Sequence, residues 1–215
     1  DCIGLNDKEL EMKKTLLIVL FITGFCFGQT YELAEEFYSN GFPKVIKTYK
    51  VSKGKIEIVK RINWHFNGQK EKVMTYKDGE RDGKWTRWNE NGQKSEEGAY
   101  KDGIEDGLST WWYKNGQKWR EETYKDGKKD GLYTRWYENG QKESEGTFKD
   151  GKRISSKRWS YYENGKKSWE RTYKDGKSDG LFTNWYENGQ KKGEMTYKDG
   201  KFISSKKWNE DGTEQ

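Results

Sequence analysis

Carboxylates, ammonium groups and aromatic rings recur in this chain at spacings that could each support chemistry. In Asp126-Gly127-Lys128-Lys129-Asp130-Gly131 two carboxylates stand four residues apart, and the pattern recurs at Asp78/Asp82, Asp102/Asp106 and Asp175/Asp179. Calcium needs six to eight oxygen ligands, and Lys125, Lys128 and Lys129 crowd this loop. Turn chemistry is therefore expected there, and no metal. A lysine follows each Asn-Gly pair (Lys70, Lys94, Lys118, Lys142, Lys166, Lys191), a row able to track phosphates or lipid headgroups. Glu90, Glu138, Glu163 and Glu187 precede the same turns and predict a salt-laced, solvated edge, with nucleic acid an unlikely partner. Tyr113, Tyr137, Tyr162 and Tyr186 are the candidate binding residues, holding sugars or choline by stacking and cation–π contact, or else stabilising the sheet.

Catalysis finds little support. His65 is the single histidine, and Cys2 and Cys26 both precede residue 29. There is no Gly-x-Ser-x-Gly and no phosphate loop. The carboxylate pairs repeat with the template, whereas acid–base chemistry needs two groups in different environments. The expectation is no catalytic residue and no cofactor.

What must position these groups is a repeat. Asn-Gly occurs at Asn67, Asn91, Asn115, Asn139, Asn164 and Asn188, with spacings of 24, 24, 24, 25 and 24. Asp-Gly keeps the same step at Asp78, Asp102, Asp126, Asp150, Asp175 and Asp199. Both pairs favour type I′ hairpin turns, which need positive φ at two positions. Each unit thus reads as two short antiparallel strands closed at alternate ends. Trp64, Trp88, Trp112, Trp136, Tyr161 and Trp185 stand three residues before each Asn-Gly. Tyr76, Tyr100, Tyr124, Phe148, Tyr173 and Tyr197 stand two before each Asp-Gly. Equivalent rings in neighbouring hairpins form rows, so these ladders are expected to stack along one face. The predicted fold is all-β, an elongated array of antiparallel hairpins in a single-layer sheet. Two or three rings per hairpin cannot offset the ordering of a whole unit, so neighbours must share the burial.

Composition agrees. Only 30% of residues are hydrophobic against 36% charged, a disordered balance except that 16% are aromatic. Twenty-five glycines against one proline signal tight turns. The net charge is +6; residues 1–28 hold three lysines against four acids, leaving +7 on the rest, interspersed with acids.

Four segments follow. Residues 1–11 precede Met12 and look like upstream, non-domain sequence. Residues 12–28 order a basic start, an apolar run from Thr15 to Phe25 and small residues as a signal peptide does, too short for a comfortable permanent span. Export to periplasm, cell surface or medium is the expectation. Residues 29–59 form a lead-in, with one helical turn or disorder over 30–37, and a capping hairpin; Ile56, Ile58, Ile62 and Trp64 share a parity that predicts an aliphatic face. Residues 60–212 are the repeats, in which Ile154-Ser155-Ser156 and Ile203-Ser204-Ser205 replace the second Asp-Gly.

The unit from Asp130 to Gly151, DGLYTRWYENGQKESEGTFKDG, resembles the bacterial variant of the membrane occupation and recognition nexus (MORN) repeat, and the arrangement is similar to that of the YwqK-like antitoxin family. The resemblance implies a hairpin array that binds proteins or membranes, and it supplies no catalytic residue. The expected function is a non-enzymatic exported scaffold contacting a protein partner or a cell-envelope component, with peripheral membrane contact open. The alternatives are an antitoxin or immunity-type protein with one toxin partner, and a carbohydrate- or choline-binding wall module. The oligomeric state stays open.

Overall fold

A computed structural model describes residues 30–52 and 55–215. The expected upstream segment 1–11 and signal peptide 12–28 lie outside the described residues, as do Lys53 and Gly54 of the first capping turn. The described chain is all-β, with seventeen strands and no helix. The first half holds β1 (Thr30–Phe37), β2 (Pro43–Ser52), β3 (Lys55–Trp64), β4 (Lys70–Lys77), β5 (Glu80–Arg81), β6 (Gly83–Trp88), β7 (Lys94–Lys101), β8 (Ile104–Glu105) and β9 (Gly107–Trp112). The second holds β10 (Lys118–Lys125), β11 (Lys128–Trp136), β12 (Lys142–Lys149), β13 (Lys152–Tyr161), β14 (Lys167–Lys174), β15 (Lys177–Trp185), β16 (Lys191–Lys198) and β17 (Lys201–Lys207). Each strand pairs antiparallel with its sequence neighbours in one open meander, β5 with β6 and β8 with β9 acting as halves of an interrupted strand. Residues 30–37 are a strand paired with β2, and neither a helical turn nor a disordered lead-in: Tyr31 and Leu33 alternate inward onto Tyr49, Val51, Ile56 and Ile58, the aliphatic core of the cap.

The two turn series differ in kind. At Asp-Gly both residues are left-handed, Asp φ 46–50° and Gly φ 75–86°, as a type I′ turn requires. At Asn-Gly only the glycine is left-handed, with φ 81–94° in the six repeats, so these are not the expected type I′ turns. Gly68 N–H donates to His65 O at 3.0 Å and His65 N–H to Gln69 O at 2.8 Å, a three-residue loop of type I turn plus glycine bulge. Asn67 Oδ1 accepts from Gln69 N–H at 3.1 Å, which holds the asparagine at negative φ. Tyr38-Ser39-Asn40-Gly41 closes in the same way.

The second Asp-Gly of each loop is a bulge. Gly83, Gly107, Gly131 and Gly180 take φ 91–116°, and strand β11 carries two extra residues there against β10. Thr75 and Thr172 hydroxyls donate to the looped-out Asp82 and Asp179 carbonyls. Where Ile154 and Ile203 replace that aspartate the bulge shrinks to one residue. At Ile154 the lost bulge residue and the extra residue of that 25-residue unit together slide the register by two, whereas at Ile203, in a unit one residue shorter, Glu194 still meets the threonine-equivalent Lys206. Glu121 pairs with Thr110 and Thr134, but Glu145, after pairing with Thr134, meets Lys157 instead of Trp159.

The pleat settles which side chains share a face. Thr86, paired with Glu97, and Trp88 lie on one side; Gly83, Trp85, Gly98 and Tyr100 lie on the other. The tryptophan ladder and the tyrosine/phenylalanine ladder are therefore on opposite faces, and the expectation of one shared face is corrected. Twelve residues separate each tryptophan-ladder position from the tyrosine or phenylalanine that follows it, but a bulge opposite the tryptophan changes the parity.

Glycine replacement separates close packing from backbone strain. A Cβ on Gly146 would fall 2.1 Å from Ser155 O and 2.7 Å from the Tyr133 ring, whereas one on Gly151, at φ +81°, meets nothing within 4 Å. Gly146→Ala is expected to destabilise by about 3 kcal/mol and Gly151→Ala by about 1 kcal/mol. Urea midpoints measure both, and equal losses would contradict the packing of Tyr133 over Gly146.

Candidate recognition face

The tryptophan face repeats the same residues unit after unit. Glu97, Glu121, Glu145, Glu170 and Glu194 form one column, and Thr86, Thr110, Thr134 and Thr183 another, broken by Trp159. Its lysines are engaged. Lys94 Nζ lies 2.7 Å from Glu97 and 5.7 Å from the Trp112 ring centre. Lys167 pairs with Glu170 at 2.9 Å over Trp185, and Lys191 with Glu194 at 2.8 Å over Trp208. Lys118 pairs with Glu121 over Trp136. Ammonium groups thus sit between successive rings, in place of the expected ring-on-ring stack. The fifth lysine of this row is Lys167; Lys166 sits at the turn, its Nζ donating to Asn188 O at 2.8 Å. The neutralising acids are also different from those expected, three residues after each lysine. Burial pushes the Glu170 carboxyl up, but hydrogen bonds from Lys167 and Lys157 outweigh it and hold it below its ordinary value. Leu108, Leu132 and Leu181 are the exposed apolar residues of this face.

The turn edges clamp each unit to the next. Asn67, Asn115, Asn164 and Asn188 amides donate to the carbonyls of Glu90, Glu138, Glu187 and Glu210 at 2.7–3.1 Å. The four candidate tyrosines belong to the same clamp. Tyr113, Tyr137, Tyr162 and Tyr186 hydroxyls donate to the carbonyls of Trp136, Trp159, Trp185 and Trp208 at 2.8, 3.2, 2.6 and 3.0 Å. Tyr38 does likewise to Trp64 O, and His65 Nε2 contacts Trp88 O at 2.9 Å. Only their ring faces remain for a ligand; the Tyr137 ring lines a cleft described below.

At the opposite edge the paired aspartates link units too. Asp82, Asp106, Asp130 and Asp179 accept from the backbone N–H of Asp102, Asp126, Asp150 and Asp199 at 3.2–3.4 Å. Lys149 and Lys198 reach Asp130 and Asp179 at 2.8 and 3.0 Å. Those lysines first, then the backbone N–H groups, hold both carboxyls below the usual carboxylate range. Among the described residues no group of three His, Cys, Asp or Glu side chains is arranged to hold a metal ion.

The other face varies. Its columns read Lys72, Glu96, Arg120, Ser144, Trp169, Gly193; Trp85, Ser109, Tyr133, Arg158, Phe182; and Met74, Gly98, Glu122, Gly146, Arg171, Met195. Among these strand positions the tyrosine/phenylalanine ladder repeats. Here lies a cleft of about 470 Å³, walled by Tyr133, Phe148 and Trp169 and carrying Arg120, Arg135 and Arg158. The register slip builds it. Because β13 slides by two, Ser144 opposes Arg158, and a single cross-strand row runs Arg120, Arg135, Ser144, Arg158, Arg171. Glu122, 5% exposed, is satisfied by Lys129 Nζ and the Tyr124 hydroxyl, each at 2.9 Å. Burial first, then that hydrogen bond, pushes the Tyr124 phenol far above its ordinary range. Burial also raises the Tyr137 phenol, with Glu143 adding to it.

Sequence reasoning missed this arginine row. Aligning the six units by their period exposes one signal, uniform columns against varied ones. The row itself depends on a slip that no motif announces.

Four segments, residues 81–102, 105–126, 129–150 and 178–199, match the family model of the MORN repeat variant. Those four units are similar to the MORN repeat variant, and the unmatched stretch between 150 and 178 is the unit that contains the slip. No curated protein matches the chain. Among solved structures, a crystal structure of a point mutant of S. aureus TarM in complex with Fondaparinux, alpha-GlcNAc-glycerol and UDP is 12% identical, with a TM-score of 0.21. That match covers 81% of this chain and spans 25% of that one.

Two edge predictions follow from the clamps. Tyr162→Phe leaves Trp185 O without its donor and is expected to lower stability by about 1 kcal/mol, read as a drop in melting temperature. Asp130 and Asp179, with folded pKa values lowered, stabilise the fold above the ordinary aspartate range and lose that contribution as pH falls through about 4 and below. The double variant Asp130→Asn/Asp179→Asn should flatten the melting temperature between about pH 5 and 2; an unchanged acid profile would remove these carboxyls from the linkage.

Proposed function

We propose that the protein is a non-enzymatic, exported repeat scaffold whose varied face recognises a protein partner or a cell-envelope component, while the uniform face holds the array together. The observation that carries this reading is the contrast between the two sides of one sheet. On the tryptophan side the same lysine, glutamate and ring recur and satisfy each other. On the other side the residue type changes at nearly every step. Repeated assembly needs equivalent contacts at each interface. Recognition needs the opposite, an arrangement that occurs once. Export rests on the basic start and apolar run of residues 12–28.

A second reading, an antitoxin or immunity-type protein with one dedicated partner, draws support from the concentration of arginines at one place beside the slip. Choline or glycan binding by the tyrosine row has less, because the hydroxyls already serve the clamp.

The test is co-purification with in-cell crosslinking, using the full chain and two surface variants. Trp169→Ala alters the varied face; Leu132→Ser alters a uniform-face residue that is 71% exposed. Partner recovery should fall at least severalfold for Trp169→Ala and stay unchanged for Leu132→Ser. The reverse pattern would overturn the assignment of faces. A single stoichiometric partner selects the immunity reading, several envelope partners the scaffold, and fractionation of cells decides export.

A further inference from the structure

We infer that the arginine cleft on the varied face takes an extended peptide segment, supplied by a partner, in which acidic and apolar side chains alternate. This deepens the proposed recognition function and rests on it.

The row itself is energetically odd. Arg120 lies directly opposite Arg135, and Arg158 directly opposite Arg171, although like charges facing each other across strands are destabilising. Ring faces compensate in part: Arg120 sits 3.9 Å from the Trp111 ring centre, Arg158 5.3 Å from Tyr173, and Arg171 5.0 Å from Tyr197. Carboxylates do not complete the job. Arg120 is 3.8 Å from Glu122 and Arg135 is 3.8 Å from Glu143, both beyond hydrogen-bond length. The Nε groups of Arg120, Arg135 and Arg171 are buried with no hydrogen-bond partner among the described residues, as is that of Arg87 outside the cleft; what sets the cleft apart is that its arginines face one another. Guanidinium groups with donors to spare bind carboxylates in forked pairs.

Charge and wall chemistry narrow the ligand. Five cations (Arg120, Lys129, Arg135, Arg153, Arg158) face two carboxylates (Glu122, Glu143) around the cleft. The Glu143 side chain is 35% exposed and repels a dense polyanion such as nucleic acid or a sulfated glycan. A few well-spaced acids avoid that repulsion. Between the arginines, Tyr133, Phe148 and Trp169 offer apolar walls. Strands lie about 4.8 Å apart, so the row from Arg120 to Arg171, four strands on, extends about 19 Å. An extended peptide covers that in about six residues, with its side chains alternating between two sides.

The probe is a fluorescein-labelled hexapeptide alternating Glu and Leu, titrated by anisotropy against the full chain at physiological salt. It should bind, and an all-Glu hexapeptide should bind several-fold more weakly. Arg135→Gln/Arg158→Gln should weaken the Glu-Leu peptide about tenfold or more. Arg87→Gln, on the same face but outside the cleft, should change affinity less than about twofold. If the glutamine pair fails to fold by melting, Arg135→Lys/Arg158→Lys keeps the charge and should still lose several-fold. No binding, equal binding by the cleft variant, or preference for heparin over the Glu-Leu peptide overturns the inference. Should the glutamine pair still recover the cellular partner while Trp169→Ala does not, this cleft assignment fails and the scaffold reading stands.

Discussion

Each hairpin here leaves its turns, its rings and one of its strand edges incomplete, and the next hairpin completes them. Asparagine amides and tyrosine hydroxyls reach forward to a carbonyl 22 or 23 residues on. Aspartate carboxylates take the N–H of an aspartate 20 residues later. Lysines close the gap between one tryptophan and the next. A single sheet with no second layer has no other source of shielding, so nearest-neighbour contact is the condition for every other feature.

That constraint divides the molecule's labour by side. Contacts made at every interface must be interchangeable, which confines the tryptophan face to one lysine–glutamate–ring scheme. The far face needs only enough ring burial to protect the sheet; beside the tyrosine/phenylalanine ladder, glycines receive rings of the neighbouring column, Gly98 under Trp85 and Gly146 under Tyr133. Positions between those rings are free to differ, and they do.

The repeat period, the strands and the Asp-Gly turns were legible in the residues because turn chemistry and alternation are local. Other features were not, for physical reasons that can be named. Asn-Gly serves equally in a two-residue and a three-residue loop, since both need a left-handed glycine; the choice follows from a hydrogen bond between His65 and Gln69 that spans the turn. The separation of the two ladders depends on a bulge beside each tryptophan, which counting residues does not reveal. Lys166 and Lys167 are adjacent, and position relative to the turn decides between them: the lysine three residues after the asparagine meets the glutamate, while Lys166 takes the place that glutamine holds in the other units. Residues 30–37, with three glutamates, a leucine and an alanine, read as helix or coil, yet the unpaired edge of β2 draws them into the sheet. The hydroxyls of the tyrosine row serve the backbone of the next unit, a role that the residue spacing does not announce.

The one-residue bulge at Ile154 has a mechanical meaning as well. Together with the extra residue of that 25-residue unit it makes a dislocation in an otherwise periodic lattice, displacing everything downstream by two residues, about 6.8 Å along the strands. A straight, regularly repeating polymer laid along the sheet would fall out of phase at that line. Binding by simple repetition over the full length is thereby frustrated, and any ligand that engages both sides of the fault must match its offset.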